Sequence, residues 1–248
     1  MIKALSIINA RIIDPATGYD GIGIITIIDG MIADIGPKAR IMEEQIDAEG
    51  LIAAPGLIDM RVTTGEPGAE HRETILTAAR AAAAGGVTSM VVMPDTNPVI
   101  DDMSLVDFVQ RRGEESPVNV YAAGALTKEL DGKTLTEIGL MSQAGAVMFS
   151  GGREAIGDSR TMRRLLSYAA TFNALIANRA KDPSLSEGAC AHESDFSSRL
   201  GLAGVPAAAE TIMIQRDVAL AELTGGRLLI DMISSAEAVD VVRQAKSR

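Results

Sequence analysis

The chain has 248 residues, with Lys and Arg totalling 23 against 33 Asp and Glu, and its formal charge of −10 repels polyanions and excludes nucleic acid as a partner. Apolar residues make up 47%, enough for a chain of this length to bury roughly 70–75% of its unfolded surface, which excludes disorder as the dominant state. Aromatics reach only 3% and Trp is absent, so the core is built from Ala, Ile, Leu, Val and the 12 Met, favouring α/β packing over an aromatic-rich sandwich. Cys190 has no partner for an internal disulfide. Neither a basic-then-apolar leader nor an apolar span of about 18 residues is evident, so the expectation is a cytoplasmic protein with no membrane partner.

Residues 1–55 read as a small β-module. Ala4–Ile8, Arg11–Ile13 and Ile22–Ile28 are β-branched runs broken by Asp14-Pro15, Thr17-Gly18 and Asp29-Gly30. Asp-Gly supplies the positive φ that a tight hairpin turn needs. Ile32–Ile35 and Leu51-Ile52 complete the expected strands.

From residue 56 to 248 the pattern changes to alternating strand and helix. Strands are predicted at Leu57–Val62, Val87–Met93, Val118–Ala125, Ala146–Phe149, Leu175–Asn178 and Leu228–Ile233. Helices are predicted at Glu73–Ala84, Leu105–Arg112, Leu135–Ala144, Ser159–Phe172, Ala207–Leu223 and Ala236–Ala245. In Ala207–Leu223 the expected apolar face carries Ala208, Ile212, Val218, Leu220 and Leu223, with Glu210, Gln215, Arg216, Asp217 and Glu222 opposite. Strands apolar on both faces, separated by helices, imply a parallel sheet. Six β-α units are visible where a closed barrel needs eight.

In parallel α/β folds the reacting groups project from the C-terminal strand ends. The first such end reads Ile58-Asp59-Met60-Arg61-Val62-Thr63-Thr64-Gly65-Glu66-Pro67-Gly68. It is led into by Pro55-Gly56-Leu57-Ile58-Asp59, and further along come Gly85-Gly86-Val87-Thr88, Met93-Pro94-Asp95-Thr96-Asn97-Pro98, Asp182-Pro183-Ser184-Leu185, and the run from Ser198 through Glu210. In these motifs the chain resembles the dihydroorotases of the amidohydrolase superfamily, over essentially its whole length. The resemblance implies an α/β, amidohydrolase-type (β/α) barrel, incomplete at six of eight units, behind a small N-terminal β-module.

It also implies a site whose chemistry has been replaced. The family's His-x-His zinc ligands match Arg61 and Thr63, and a guanidinium has no lone pair to donate. The bridging carboxylate matches Gly151, and the later histidines match Arg179 and Met232. The groups that grip the substrate carboxylate match Gly65 and Asp95. No zinc or other cofactor is expected on this donor set, and no catalytic residue is assigned. Some bacteria use inactive dihydroorotase homologues as structural partners of aspartate carbamoyltransferase in pyrimidine biosynthesis, so the resemblance implies that partner, or self-association. A metal-dependent cyclic amide hydrolase (dihydroorotase, allantoinase or hydantoinase) and a small-molecule binding module are the competing readings. In the second, Arg61 and Arg179 hold an anion or pair with Asp95 or Asp231.

The remaining candidates read as structural. His71 and His192 lie in polar surroundings, Gly85-Gly86 and Gly151-Gly152 lack the spacing of a phosphate loop, and Arg153, Arg160, Arg163 and Arg164 form a solvated helix face.

Overall fold

The computed structural model describes residues 3–248, and contacts divide the chain into one unit running to Leu57 and a second from Ile58 to Arg248. The first unit is a sheet of β1 (Ala4–Asp14), β2 (Tyr19–Ile28), β3 (Met31–Gly36), β4 (Glu44–Asp47) and β5 (Ile52–Ala53). The order is β3-β2-β1-β4, with β5 also pairing β1. Asp29 and Gly30 both take positive φ, 49° and 78°, and turn β2 into β3 as expected of an Asp-Gly hairpin. The two runs expected at Ala4–Ile8 and Arg11–Ile13 form one strand, interrupted by a register shift between Ile7 and Ala10 where Asn9 takes a φ of 61°. Strand β4 was not predicted, because Glu44-Gln45-Ile46-Asp47 is polar and exposed and owes its conformation to parallel pairing with β1.

The second unit begins with β6 (Leu57–Val62), α1 (Ile75–Ala84), β7 (Val87–Val92), α2 (Met103–Gly113), β8 (Asn119–Ala125), α3 (Ile138–Gln143) and β9 (Met148–Ser150). It continues through α4 (Ser159–Ala170), β10 (Leu175–Arg179), α5 (Pro183–Ser186), β11 (Ala191–His192), α6 (Asp195–Arg199), β12 (Gly204–Val205), α7 (Ala208–Thr224), β13 (Arg227–Asp231) and α8 (Ala236–Lys246). Six parallel strands in the order β13-β10-β9-β8-β7-β6 curl into a half-barrel, the incomplete architecture expected. The period-2 alternation of a strand sorts its side chains between two cores. Met90, Val92, Ala122, Phe149 and Ile176 pack outward under the helices. Val91, Met93, Ala123, Met148 and Ala177 fill the inner, concave face, with Leu229 packed against them.

Helix α7 corrects the sequence reading. Its buried residues are Ala209, Met213, Ile214 and Asp217, whereas Ile212 is 48% and Leu223 64% exposed. Asp217 stands on the packed face because its charge is matched there. Its Oδ1 accepts from Arg216 Nε and Nη2 at 2.9 and 2.6 Å, and its Oδ2 accepts from Asn178 Nδ2 at 2.7 Å. Burial pushes the Asp217 carboxyl up, and the Arg216 charge and these bonds pull it back. Asn178 Oδ1 in turn accepts from Ile156 N at 2.9 Å, tying the outer face of β10 to the loop before α4.

Candidate functional site

Strand parity decides what reaches the concave face. Ala177 and Leu229 point inward, so Arg179 and Asp231, two residues on, do so at the C-terminal ends of β10 and β13. On β6, Val62 packs with the outer core, which turns Arg61 inward. Strands β6 and β13 are the two edges of the sheet, and the curl brings their ends together. Arg61 Nη1 donates to Asp231 Oδ2 in an ion pair between residues 170 apart in sequence, and Arg61 Nη2 donates to Gly152 O at 3.0 Å. The side chains are 22% and 11% exposed. Burial pushes the Asp231 carboxyl above its ordinary value, with Arg61 and then Arg179 opposing that shift.

The segment after β9 closes the mouth. Ser150 Oγ accepts from Gly152 N at 3.1 Å, and Gly152 takes a φ of 65°, where a Cβ would stand 2.9 Å from Asp95 Cβ. A Cβ at Gly151 would lie 2.4 Å from Glu154 O, so backbone fills the space that a side chain at 151 would need. Arg179 Nη1 donates to Arg153 O at 2.8 Å, and Arg153 Nε lies 3.1 Å from Asp95 Oδ2. Arg153 therefore leaves the basic face on which it was expected and becomes part of the mouth, while Arg160, Arg163 and Arg164 stay on α4. Asp95 Oδ1 is buried and has no hydrogen-bond partner among the described residues.

Thr63 follows β6 directly, and Met232, with a φ of 63°, follows β13. Gly65 lies deeper in the β6–α1 loop, where a Cβ would meet Ala69 O at 2.3 Å and Glu73 O at 2.7 Å. No larger residue fits that position without moving the loop. Glu66 beside it is buried. Its Oε2 accepts from Ile75 N at 2.9 Å at the start of α1, and its Oε1 accepts from Arg112 Nε at 2.5 Å. His71 is exposed in the turn before Thr74, the residue that caps α1, and His192 is exposed on β11. The residues that sequence reasoning missed are Glu66 and Asn178. The signal for Asn178 was a polar residue inside an otherwise apolar strand.

The donor set does not fit a divalent cation. Two of the positions matched to metal ligands carry arginines, one of them spent on Asp231, and a third is a glycine closed over by backbone. Among the described residues no group of three or more His, Cys, Asp or Glu is arranged to hold a metal ion.

Solved structures with the same architecture place the fold. An L-hydantoinase from Arthrobacter aurescens superposes with a TM-score of 0.82 at 22% identity, covering 100% of this chain and 56% of that one. A D-hydantoinase superposes with a TM-score of 0.75 at 19% identity, over 99% and 55% of the respective chains. The half-barrel thus shares the fold of these hydantoinases. Residues 50–238 match the family model described as dihydro-orotase-like, and the chain belongs to that family. A dihydroorotase from Pelotomaculum thermopropionicum is 42% identical over 245 residues, 98% of this chain and 57% of the relative. A dihydroorotase-like protein from Pseudomonas aeruginosa is 38% identical over 247 residues, 98% and 58% of the two. The chain spans a little over half the length of these relatives. No helix of the described residues is long and apolar enough to cross a membrane.

Proposed function

We propose that the chain is a non-catalytic dihydroorotase-like protein that acts as a structural partner of an aspartate carbamoyltransferase in pyrimidine biosynthesis. One observation carries this reading. The Arg61 guanidinium occupies a position matched to a zinc ligand and is paired with Asp231, while the Gly151 backbone is closed over by Glu154 O. Zinc activation lowers the pKa of a bound water from 15.7 to about 7, and the residues at this mouth offer no ligand set to hold the ion that does so. A barrel whose packing is kept and whose chemistry is replaced fits selection for a surface. The charge of −10 adds a constraint, since a complementary partner patch is basic and association is faster at low salt.

The test measures three quantities on one preparation. Elemental analysis after incubation with Zn²⁺ and gel filtration is expected to find no stoichiometric zinc, and the dihydroorotate assay no turnover above background. Light scattering on a mixture with purified aspartate carbamoyltransferase is expected to show a larger assembly at low salt. About one tightly held ion per chain together with chelator-sensitive turnover restores the hydrolase reading. Absence of a larger assembly at every salt concentration removes the partner.

A further inference from the structure

Two cations near the mouth form no ion pair among the described residues. Arg61 and Arg153 face Asp231 and Asp95, but Arg179 donates to a neutral carbonyl and makes no ion pair among the described residues. Lys181, two residues further on, makes none either. Both line a cavity of about 400 Å³ beside the end of β10, a volume typical of small-molecule sites. The other charged or titratable groups there are His192, Cys190 and Glu210. Glu210 is committed elsewhere: its oxygens accept from Ser234 N at 3.0 and 3.1 Å, Ser235 N at 2.9 Å, Ser235 Oγ at 2.7 Å and also Ser234 Oγ. Glu154 and Glu187 share an adjacent cleft with Lys181 but form no ion pair with it. The cavity's other side is apolar, with Val205, Pro206 and Met232 among its lining.

We propose that this cavity binds a small organic anion, its acidic group held by Arg179 and Lys181 and its apolar body against Val205, Pro206 and Met232. The geometry suits each part. A guanidinium with one nitrogen fixed on Arg153 O keeps donors for a carboxylate or phosphate, and the Lys181 ammonium adds a point charge. The cations also stand out in a chain whose net charge is −10: Lys181 makes no ion pair among the described residues, and the one carboxylate that attracts Arg179, Asp231, is already paired with Arg61.

Methionine-methyl NMR on the full chain tests this, because Met232 lines the cavity whereas Met90 and Met162 are buried in the outer core. The probes are benzoate, phenyl phosphate, the neutral isostere benzamide and inorganic phosphate. Saturable shifts of Met232 are expected with benzoate or phenyl phosphate, at least about tenfold weaker with benzamide. Which acid binds more tightly identifies the acidic group. The double variant R179Q/K181Q is expected to weaken binding by about tenfold or more while the Met90 and Met162 signals stay in place. Lys181→Gln alone, at a side chain with no ion pair, keeps the test decisive if the double variant does not fold. The proposal is overturned if Met232 is unmoved by every probe at about 10 mM, or if benzamide binds as tightly as benzoate. Inorganic phosphate binding as tightly as phenyl phosphate removes the apolar half of the site.

Discussion

Replacing Arg61 by Met keeps most of the side-chain volume, deletes the charge and leaves the Asp231 carboxylate on the concave face with Arg179 as its remaining attractive neighbour. Removing one partner of a fully buried pair costs about 3–5 kcal/mol. Arg61 is 22% exposed and Asp231 11%, so water softens the penalty and the lower end, about 3 kcal/mol including the lost bond to Gly152 O, is expected. For a chain of this length that lowers Tm by about 6–12 °C. The loss depends on pH in a defined direction. Burial raises the Asp231 carboxyl, so its contribution to stability is full below its ordinary pKa and is lost as pH rises through the folded value. Without Arg61 that value rises further. The R61M deficit is therefore largest at neutral and alkaline pH and shrinks as acid neutralises the carboxylate. Paired thermal melts of wild type, R61M, D231N and the double variant, from below the ordinary carboxyl value up to about pH 8, give the coupling directly. An R61M deficit below about 0.5 kcal/mol, or one independent of pH, refutes the reasoning.

Gly151→Asp is expected to cost about 1–3 kcal/mol, since its Cβ would stand 2.4 Å from Glu154 O, and to capture no zinc; denaturant melts and elemental analysis check both. Asp217→Ala leaves Arg216 mostly buried without its carboxylate and is expected to cost about 3–5 kcal/mol, against a smaller loss for Asp217→Asn; urea titration separates them. Ile58 and Met60 on edge strand β6 are 67% and 41% exposed, and at the other edge Leu229, Ile230 and Val242 line an apolar groove of about 830 Å³. Concentration-dependent association is expected in sedimentation velocity, and a monodisperse, cooperatively melting monomer contradicts it.

The sheet was legible because a buried parallel strand is written as a short β-branched or aliphatic run, and β6 falls on Leu57–Val62 as predicted. The face of α7 was not. Periodicity treats Asp217 as a solvent residue, whereas Asn178 and Arg216 pay for its burial from a strand 39 residues away and from its own neighbour. The short elements β11, α5, α6 and β12 were missed because two- to five-residue segments carry too little periodicity to detect. At the mouth, Arg61, Asp95, Arg179 and Asp231 are recognisable by position, and pairing of Arg61 or Arg179 with Asp95 or Asp231 is among the readings, but which arginine meets which carboxylate, and the part of Arg153, are not legible. Arg61 with Asp231 and Asp95 with Arg153 join residues on different strands or loops, and only the curl of the sheet decides which carboxylate each arginine meets.

The packing of residues 150–154 makes the present mouth hard to leave by single substitutions. Histidine at 61 strands the Asp231 charge; an acid at 151 collides with Glu154 O; loss of the Arg179 guanidinium releases Arg153 O. Each change costs stability before any other can repay it, and natural domains hold only about 5–15 kcal/mol in reserve. Sequences one step away from this one toward metal chemistry are less stable than the chain itself, so drift is held on the near side of that barrier by folding alone, whatever the protein is selected to do.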